Sequence, residues 1–536
     1  MDDTQNLDTS ESVQKSLAKS SMMMTCLVLI SRLTGFVRTW AQAFTLGASM
    51  LASCYTVANN LPNLLYEVTV GGMLYTAFLP VYMSVKKNSG KRASERYVSN
   101  IFWIIIILMG VLTVLAFIFA SPLIFTQSAG ASEEFSFDIA TIFFRFFCIE
   151  ILLYPLSTLL SSILNAERKY FWGQAAPIFN NIIVIASFLI GYVVAQTDGL
   201  LGFIIFAVGN PLGVLVQTLI QIPAFKKSGM RIHRYLNLHD PSIKDAVKLG
   251  LPSLLITFTA AVGASVQSSC SLYTSYSGAA ILYYIRVWWV LPASLFAVPV
   301  CTALFTELSD YFADGQLGNF KRAFISGTRS IMFTMVPFMM YLFAYSACLM
   351  MILGAGSFAE EEFFFAGISL AMIAFALPFY ALSVHIQGAF GALHKLTRYA
   401  VYYCIMYAIS CVYCIVATPF AGMLGVISSI FLFYFLISIA GLILLRREVG
   451  SLQIFSVFMF CLKMLIFGII GSVPGLLASG YTYAHISSVG AITALLMTVV
   501  GGCISLLITY GLALLFRTEE AIKVKDMLFG KIRKRK

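Results

Sequence analysis

Charge is scarce in this chain. Of its 536 residues only 11% are Asp, Glu, Lys or Arg, against 59% hydrophobic. A soluble domain needs far more charge to cover its surface, so that class is excluded. Alternating segments of about ten residues, which a porin-like barrel would show, are missing too. Histidine is rare, with five residues. The eleven cysteines sit almost entirely inside apolar runs, as at Cys26, Cys148, Cys348 and Cys503. Buried cysteine behaves there as a small hydrophobe. Cys411 and Cys414 form a CxxC, but no second pair or neighbouring His accompanies it, so neither a zinc nor a redox site is indicated. No metal, cofactor or catalytic residue is expected. The first twenty residues lack the order of a cleavable signal peptide, so the first apolar run reads as a retained helix.

What remains is long hydrophobic runs. Phe102 to Phe119 is eighteen residues without a charge. About twenty residues at 1.5 Å each cross the ~30 Å bilayer core as a helix. The pattern predicts an all-α polytopic membrane protein of about fourteen transmembrane helices. They cover 22–46, 50–69 with an amphipathic continuation to 85, 99–125, 136–165, 172–196, 200–224 and 247–270. The second set covers 278–305, 322–353, 362–391, 399–420, 423–445, 454–479 and 490–516.

An even count puts both termini on one side. Even-numbered connections are basic, with Lys86, Lys87, Lys91, Arg92 and Arg96, then Arg168 and Lys169, Lys226 and Lys227, Lys321 and Arg322, Lys395 and Arg398, and Arg446 and Arg447. Odd-numbered connections hold no Lys or Arg and carry acids such as Glu133, Glu134, Asp198 and Glu360. The positive-inside rule then makes both termini cytoplasmic. The net charge of +11 is thus topogenic, and nucleic acid is not an expected partner. The basic run Lys531–Lys536 suits contact with anionic membrane lipids. No connection is long enough for a soluble catalytic domain. The longest, 225–246, places Leu236, Leu238, Ile243 and Val247 among basic residues, which suits a short helix lying on the inner membrane face.

A weak repeat runs through the chain. Tyr154-Pro155 in span four matches Leu377-Pro378 in span ten, and Leu61-Pro62 in span two matches Leu291-Pro292 in span eight. An offset of six spans predicts two parallel six-helix lobes with two helices to follow. Transporters built this way hold substrate between the lobes and rock one against the other. The division reads as a cytoplasmic tail at 1–20, an N-terminal lobe at 21–228, a C-terminal lobe at 229–446, two further spans at 447–516 and a basic tail at 517–536.

The sharpest signal is cation inside hydrocarbon. Arg32 and Arg38 fall in span one, Arg145 in span four, Arg286 in span eight and Lys463 in span thirteen. Each costs ~2.5–3.5 kcal/mol on insertion scales, so each is expected to face a bundle interior or a wet cavity. Lys463 is equally explained by snorkelling or pairing. Ser31, Gly35, Arg38 and Gln42 recur on one helical face, with Arg32 beside it. Acids within spans are chiefly Glu67 and Glu150, too few to neutralise five cations. The expected result is an electropositive cavity for an anion, and Arg suits a diphosphate because its planar fork donates two parallel hydrogen bonds. His385 in span ten reads as a hydrogen-bonded packing residue before it reads as a proton carrier.

Ser31-Arg32-Leu33-Thr34-Gly35-Phe36-Val37-Arg38 resembles the Ser-Arg-x-x-Gly-x-x-Arg signature that opens the MurJ/MviN lipid II flippases. Leu61-Pro62-Asn63-Leu64-Leu65, Gly72, Ala77-Phe78-Leu79-Pro80-Val81, Asn165-Ala166, Ala176-Pro177 with Asn180, and Leu291-Pro292-Ala293-Ser294 follow as in that family. The similarity runs from about residue 22 to 395. It implies the multidrug/oligosaccharidyl-lipid/polysaccharide exporter fold, with the last two helices forming a groove for a prenyl tail. It implies a transporter and not an enzyme. The implied substrate is lipid II, an undecaprenyl-diphosphate-linked disaccharide-pentapeptide, and cell-wall synthesis enzymes are conceivable partners. Arg32, Arg38 and Arg286 would bind the diphosphate, while Ser31, Gly35 and Asn63 would line the cavity. The chain departs from the family at Thr39 and Ser53, where Asp is usual, and at Tyr66-Glu67, where Arg is usual. An ungapped match on Pro292 also sets the family's span-eight arginine on Val287, one residue after Arg286. Spans seven and eleven lack the acids through which some members are thought to bind sodium. A drug exporter of related fold would instead need acids and aromatics for organic cations, and a glycosyltransferase would need a loop-borne acidic pair that is not there; an exporter of another lipid-linked glycan and a non-transporting envelope scaffold stay open as alternatives.

Overall fold

The computed structural model describes residues 2–71, 74, 78–355 and 357–533, and leaves out the side chains of 1–22, 245, 246, 249 and 527–536. Gly72 and Ala77, and the side chains of the basic run Lys531–Lys536, lie outside the described residues.

Among the described residues the structure is helical and has no strand. In chain order the helices are α1 (Asp2–Leu46), α2 (Met50–Tyr66), α3 (Phe78–Ile118), α4 (Ala120–Ser128), α5 (Phe137–Phe147), α6 (Glu150–Ala166), α7 (Tyr170–Ala195), α8 (Gly199–Leu219) and α9 (Ile222–Lys227). They continue as α10 (Pro241–Thr274), α11 (Gly278–Pro292), α12 (Val298–Ala313), α13 (Leu317–Ala344), α14 (Ser346–Gly354), α15 (Glu360–Ile373), α16 (Leu377–Ala392) and α17 (Leu396–Ala421). The last are α18 (Met423–Val449), α19 (Ile454–Gly471), α20 (Val473–Ala484), α21 (Ala491–Leu515) and α22 (Glu519–Arg533).

Among the described residues, eleven helical stretches are long and apolar enough to cross a bilayer, or twelve if α13 and α14, bent by 69°, count as one span. This matches the expected fourteen approximately. The two outside the count are α1 and α2. The first 22 side chains of α1 lie outside the described set, and α2 stops after 17 residues. Exposed apolar side chains such as Val193, Leu200, Phe420, Ile492 and Leu507 form a surface that suits lipid better than water.

Local chemistry sets the helix ends. Ser136 caps α5 by accepting from Ile139 N–H at 3.3 Å, and Asp198 caps α8 by accepting from Leu201 N–H at 3.0 Å. Each satisfies a backbone donor that the first turn leaves over. Gly90, at φ 76°, breaks α3 in a left-handed region that favours glycine. Both repeated Leu-Pro pairs are followed by a π-helical turn, Glu67–Gly71 after Pro62 and Ala293–Ala297 after Pro292. Proline removes a backbone donor, and a wider turn absorbs the fault.

The chain divides into two compact units. One comprises residues 1–45, 54–126 and 136–261, and the other 46–53, 127–135 and 262–536. In the first, α7 and α8 lie against each other along a seam of small residues. A Cβ added at Gly209 would stand 1.9 Å from Ser187 Oγ, and one at Gly213 would stand 2.3 Å from Asn180 Oδ1. Without a hydrophobic drive between helices in lipid, such close approach supplies the packing. Tyr55, wholly buried, meets the edges of Phe143 at 5.5 Å and Phe147 at 5.2 Å. In the second unit Tyr403, Tyr407, Phe433 and Tyr434 form the corresponding aromatic cluster, with Tyr407 and Phe433 centroids 4.1 Å apart.

The expected surface helix in 225–246 is not found. α9 ends at Lys227, the chain runs irregularly to Asp240, and Pro241 opens the long α10. The irregular stretch is pinned to α3. Asn100 Nδ2 donates to Asn237 O at 2.8 Å, Asn237 N–H donates back to Asn100 Oδ1 at 2.8 Å, and Trp103 Nε1 donates to His233 O at 2.8 Å. These side-chain bonds compete with a helix for the same backbone groups.

Candidate functional site

The first unit contains a cavity of about 540 Å³ whose lining includes Ser31 and Arg32 from α1, Ser157, Thr158, Ser161, Ser162 and Asn165 from α6, Gln174 from α7 and Gln217 from α8. Arg32 brings a cation to a wall of neutral hydroxyls and amides. Those groups are tied into a ladder. Gln217 Nε2 donates to Ser157 Oγ at 3.0 Å, Gln221 Nε2 donates to the same oxygen at 2.9 Å, and Ser161 Oγ donates to Gln221 Oε1 at 2.8 Å. Asn180 Nδ2 donates to Gln217 Oε1 at 2.9 Å. Ordered donors and acceptors of this kind fix the orientation of a polar ligand at little reorganisation cost.

The remaining span-one residues divide among different neighbours. Gly35 lies where Asn181 of α7 approaches, and a Cβ there would sit 3.7 Å from its Nδ2. That amide donates to Ser31 O at 3.3 Å and Thr34 Oγ1 at 3.0 Å. Gln42, buried, donates to Thr56 Oγ1 of α2 at 3.1 Å. The polar stripe is therefore partly a packing seam between helices.

Arg38 is half-buried and acts electrostatically on Glu150, which is wholly buried at the start of α6. Asn210 Nδ2 donates to both carboxylate oxygens, at 3.0 and 3.1 Å, and to Asn59 Oδ1. Tyr154 hydrogen-bonds to Glu150 and to Asn63. Asn63 thus joins the network around Glu150 through Tyr154.

Arg286 belongs to the second unit. Its Nη2 donates to the buried Gln267 Oε1 of α10, and its charge reaches Tyr407, Cys414 and Tyr434. Its acceptor is an amide, so its charge is hydrogen-bonded without being neutralised by that partner. Val287 is half-buried beside it.

Two cations do not face an interior. Arg145 is exposed, with its guanidinium 5.8 Å from the Phe117 ring centroid. Lys463 donates to Phe516 O at 3.3 Å and lies 5.7 and 5.9 Å from the Phe516 and Phe467 rings. Both take cation–π partners and a surface position, an alternative to cavity lining. Glu67 is exposed. His385 is buried, stacks on Phe324 at 4.5 Å and contacts Phe324 O at 3.2 Å, the arrangement of a packing residue.

The departures from the family pattern also acquire partners. Ser53 Oγ accepts from Ala280 N–H at 3.2 Å, Thr39 Oγ1 donates to Gly35 O at 3.3 Å, and Tyr66 OH donates to Thr158 Oγ1 at 3.0 Å. Cys414 meets Cys270 of α10, a third thiol that the CxxC spacing gave no sign of. Among the described residues no group of three His, Cys, Asp or Glu could hold a metal ion.

The second unit also holds an apolar cavity of about 590 Å³. Phe324 and Met332 of α13, Phe379 of α16, Phe431 and Phe435 of α18, and Phe458 and Cys461 of α19 are among its walls. Asn59, Asn210, Gln267 and the α6 hydroxyls were not singled out from sequence. Ser157, Ser161 and Asn165, spaced by four, are the one group whose helical period would have shown them.

A family model described as lipid II flippase MurJ matches residues 42–501. A probable lipid II flippase MurJ of Buchnera aphidicola subsp. Acyrthosiphon pisum is 26% identical over 61% of this chain and 63% of its own length. One from Vibrio cholerae is 25% identical over 64% of this chain and 66% of its own. The matched chain thus spans just under two thirds of the length of these relatives. Among solved structures, lipid II flippase MurJ in an inward closed conformation superposes with a TM-score of 0.69 at 20% identity, covering 92% of this chain and 99% of that one. An inward-facing multidrug resistance MATE transporter of the MOP superfamily gives 0.67 at 12% identity, covering 80% and 99%. At those identities the structures establish the fold, and the family match establishes that this integral membrane chain belongs to the lipid II flippase MurJ family of transporters.

Proposed function

We propose that this protein is a flippase that carries lipid II, a polyprenyl-diphosphate-linked disaccharide-pentapeptide, from the cytoplasmic to the outer leaflet by alternating access. Arg32, Arg38 and Arg286 bind the diphosphate, and Ser31, Gly35 and Asn63 shape the surrounding wall. Both termini are cytoplasmic, residues 21–228 and 229–446 act as the two moving lobes, and 447–516 guide the prenyl tail. The observation that carries the reading is Arg32 at the wall of a cavity whose other polar lining is neutral hydroxyls and amides, from Ser31, Ser157, Thr158, Ser161, Ser162, Asn165, Gln174 and Gln217. A cation suits phosphate, and mixed donors and acceptors suit sugar hydroxyls and peptide amides. The apolar cavity of about 590 Å³ beside α19 supports the tail assignment, since every buried CH₂ of a lipid contributes ~0.8 kcal/mol.

Complementation of a flippase-depleted strain tests this. Arg32→Ala inserts normally and fails to restore growth, whereas full growth would remove Arg32 from the site. Native mass spectrometry of the purified protein is expected to show retention of polyprenyl diphosphates over organic cations. The opposite preference overturns the substrate assignment.

A further inference from the structure

We propose that the Ser157 hydroxyl of α6 donates to a phosphate oxygen of the diphosphate, alongside Arg32. The inference deepens the reading of the first unit's polar cavity as the headgroup site, and rests on it. Ser157 is 1% exposed and lines the cavity. A hydroxyl has one hydrogen to give and two lone pairs to receive with. Both lone pairs of Ser157 Oγ are taken, by Gln217 Nε2 at 3.0 Å and by Gln221 Nε2 at 2.9 Å. Further bonds set the orientation of both amides. Gln221 Nε2 also donates to the backbone oxygen of Gln217 at 3.0 Å, an atom that can only accept. Gln217 Oε1 is occupied by Asn180 Nδ2 at 2.9 Å, which leaves its nitrogen for Ser157.

The hydrogen of Ser157 is what this network leaves over. Among the described residues no acceptor takes it. A buried donor without an acceptor is costly, and two inbound N–H bonds polarise the hydroxyl so that it donates more strongly. Ser161, one turn further along α6, has the opposite bias. Its hydrogen goes to Gln221 Oε1 at 2.8 Å and Gly173 O at 3.4 Å, so it offers the cavity a lone pair. The wall therefore has a direction, with a hydrogen at Ser157 and a lone pair one turn away. An ionised phosphate oxygen only accepts. It matches the Ser157 hydrogen and the Arg32 cation of the same cavity, and is disfavoured at Ser161. Bonds from a charged donor and to a charged acceptor are the strong ones.

The test is a cryo-electron microscopy structure of the full-length wild type in nanodiscs with undecaprenyl diphosphate, together with isothermal titration of that lipid and of inorganic pyrophosphate. Phosphate density with an oxygen about 3 Å or less from Ser157 Oγ is expected. Ser157→Ala is expected to weaken both ligands about ten- to a hundredfold, the worth of a hydrogen bond to a charged group, because the diphosphate is the part they share. Phosphate density at Arg32 with Ser157 out of hydrogen-bond reach overturns the assignment and leaves the site reading intact. Pyrophosphate affinity unchanged in Ser157→Ala does the same, even where lipid binding weakens, since the hydroxyl then reads another part of the lipid. Phosphate density outside this cavity overturns the site reading and the assignment with it. Ser157→Ala strips two buried amide donors of their acceptor, so where it folds poorly the wild-type structure decides the matter.

Discussion

Arg32 and Arg38 lie six residues apart on one helix, and their surroundings give them different stakes in stability. Arg32 is exposed and lines a cavity, so truncating it leaves nothing buried and unpaired. Arg32→Ala is expected to change stability by no more than about 0.5 kcal/mol while abolishing function. Arg38 compensates the wholly buried Glu150. Arg38→Ala is expected to cost about 1–2 kcal/mol, because the buried carboxyl loses a favourable field while keeping its hydrogen bonds from Asn210 and Tyr154. Urea unfolding in detergent separates the cases, and equal destabilisation by both single variants contradicts this distinction. At the C-terminal end of α6 a pair of another kind is found. Burial alone would raise the Glu167 carboxyl, but hydrogen bonds from Lys86, at 2.5 Å, and Tyr82 outweigh it and hold it below its ordinary value. A depressed carboxyl contributes stability above its unfolded value and loses it as pH falls through the folded one. The half-exposed pair is worth about 1 kcal/mol or less. Glu167→Gln is expected to flatten thermal stability below about pH 4.5 relative to wild type, where the parent loses this contribution.

At the scale of elements, the helices and their order are legible in the sequence because bilayer thickness fixes their length and basic connections punctuate them. Contacts between helices are far less so. Asn210 lies 151 residues from Asn59 and 60 from Glu150, and neither spacing carries a period. Asn and Gln in an apolar run give no hint of which helix they will meet. The reading of Ser31, Gly35, Arg38 and Gln42 as one cavity wall rested on helical period alone. Period sets which residues share a face, but not whether that face meets water or another helix. Asn181 and Thr56 take up part of it. The α7–α8 seam is equally invisible to hydropathy, since Gly reads the same in a loose helix and in a tight pair. Gly209→Ala brings a Cβ to within 1.9 Å of Ser187 Oγ and must displace α7 or the serine. The expected cost is about 1–3 kcal/mol, visible as a lowered melting temperature, and Gly110→Ala, with nothing within 4 Å, serves as the neutral control.

For the whole molecule, the proposed substrate asks two unlike things of one chain, a polar site for a charged head and a dry one for a polyprenyl tail. Each compact unit carries one of the two described cavities, with Arg32 at the wall of the polar one and Phe324, Phe431 and Phe458 among the walls of the apolar one. Their chemistries are separable by mutation. Cys461 is half-buried and lines the apolar cavity, and replacing its small side chain by indole fills space that a tail would occupy. Cys461→Trp is expected to weaken retention of undecaprenyl diphosphate at least tenfold, which corresponds to losing about 1.4 kcal/mol, or roughly two buried CH₂ groups. Inorganic pyrophosphate has no tail, so its binding should be unchanged by Cys461→Trp and lost with Arg32→Ala. Isothermal titration in nanodiscs reads both ligands on both variants. If Cys461→Trp weakens the two ligands equally, the apolar cavity does not hold the tail, and the substitution acts through the fold instead.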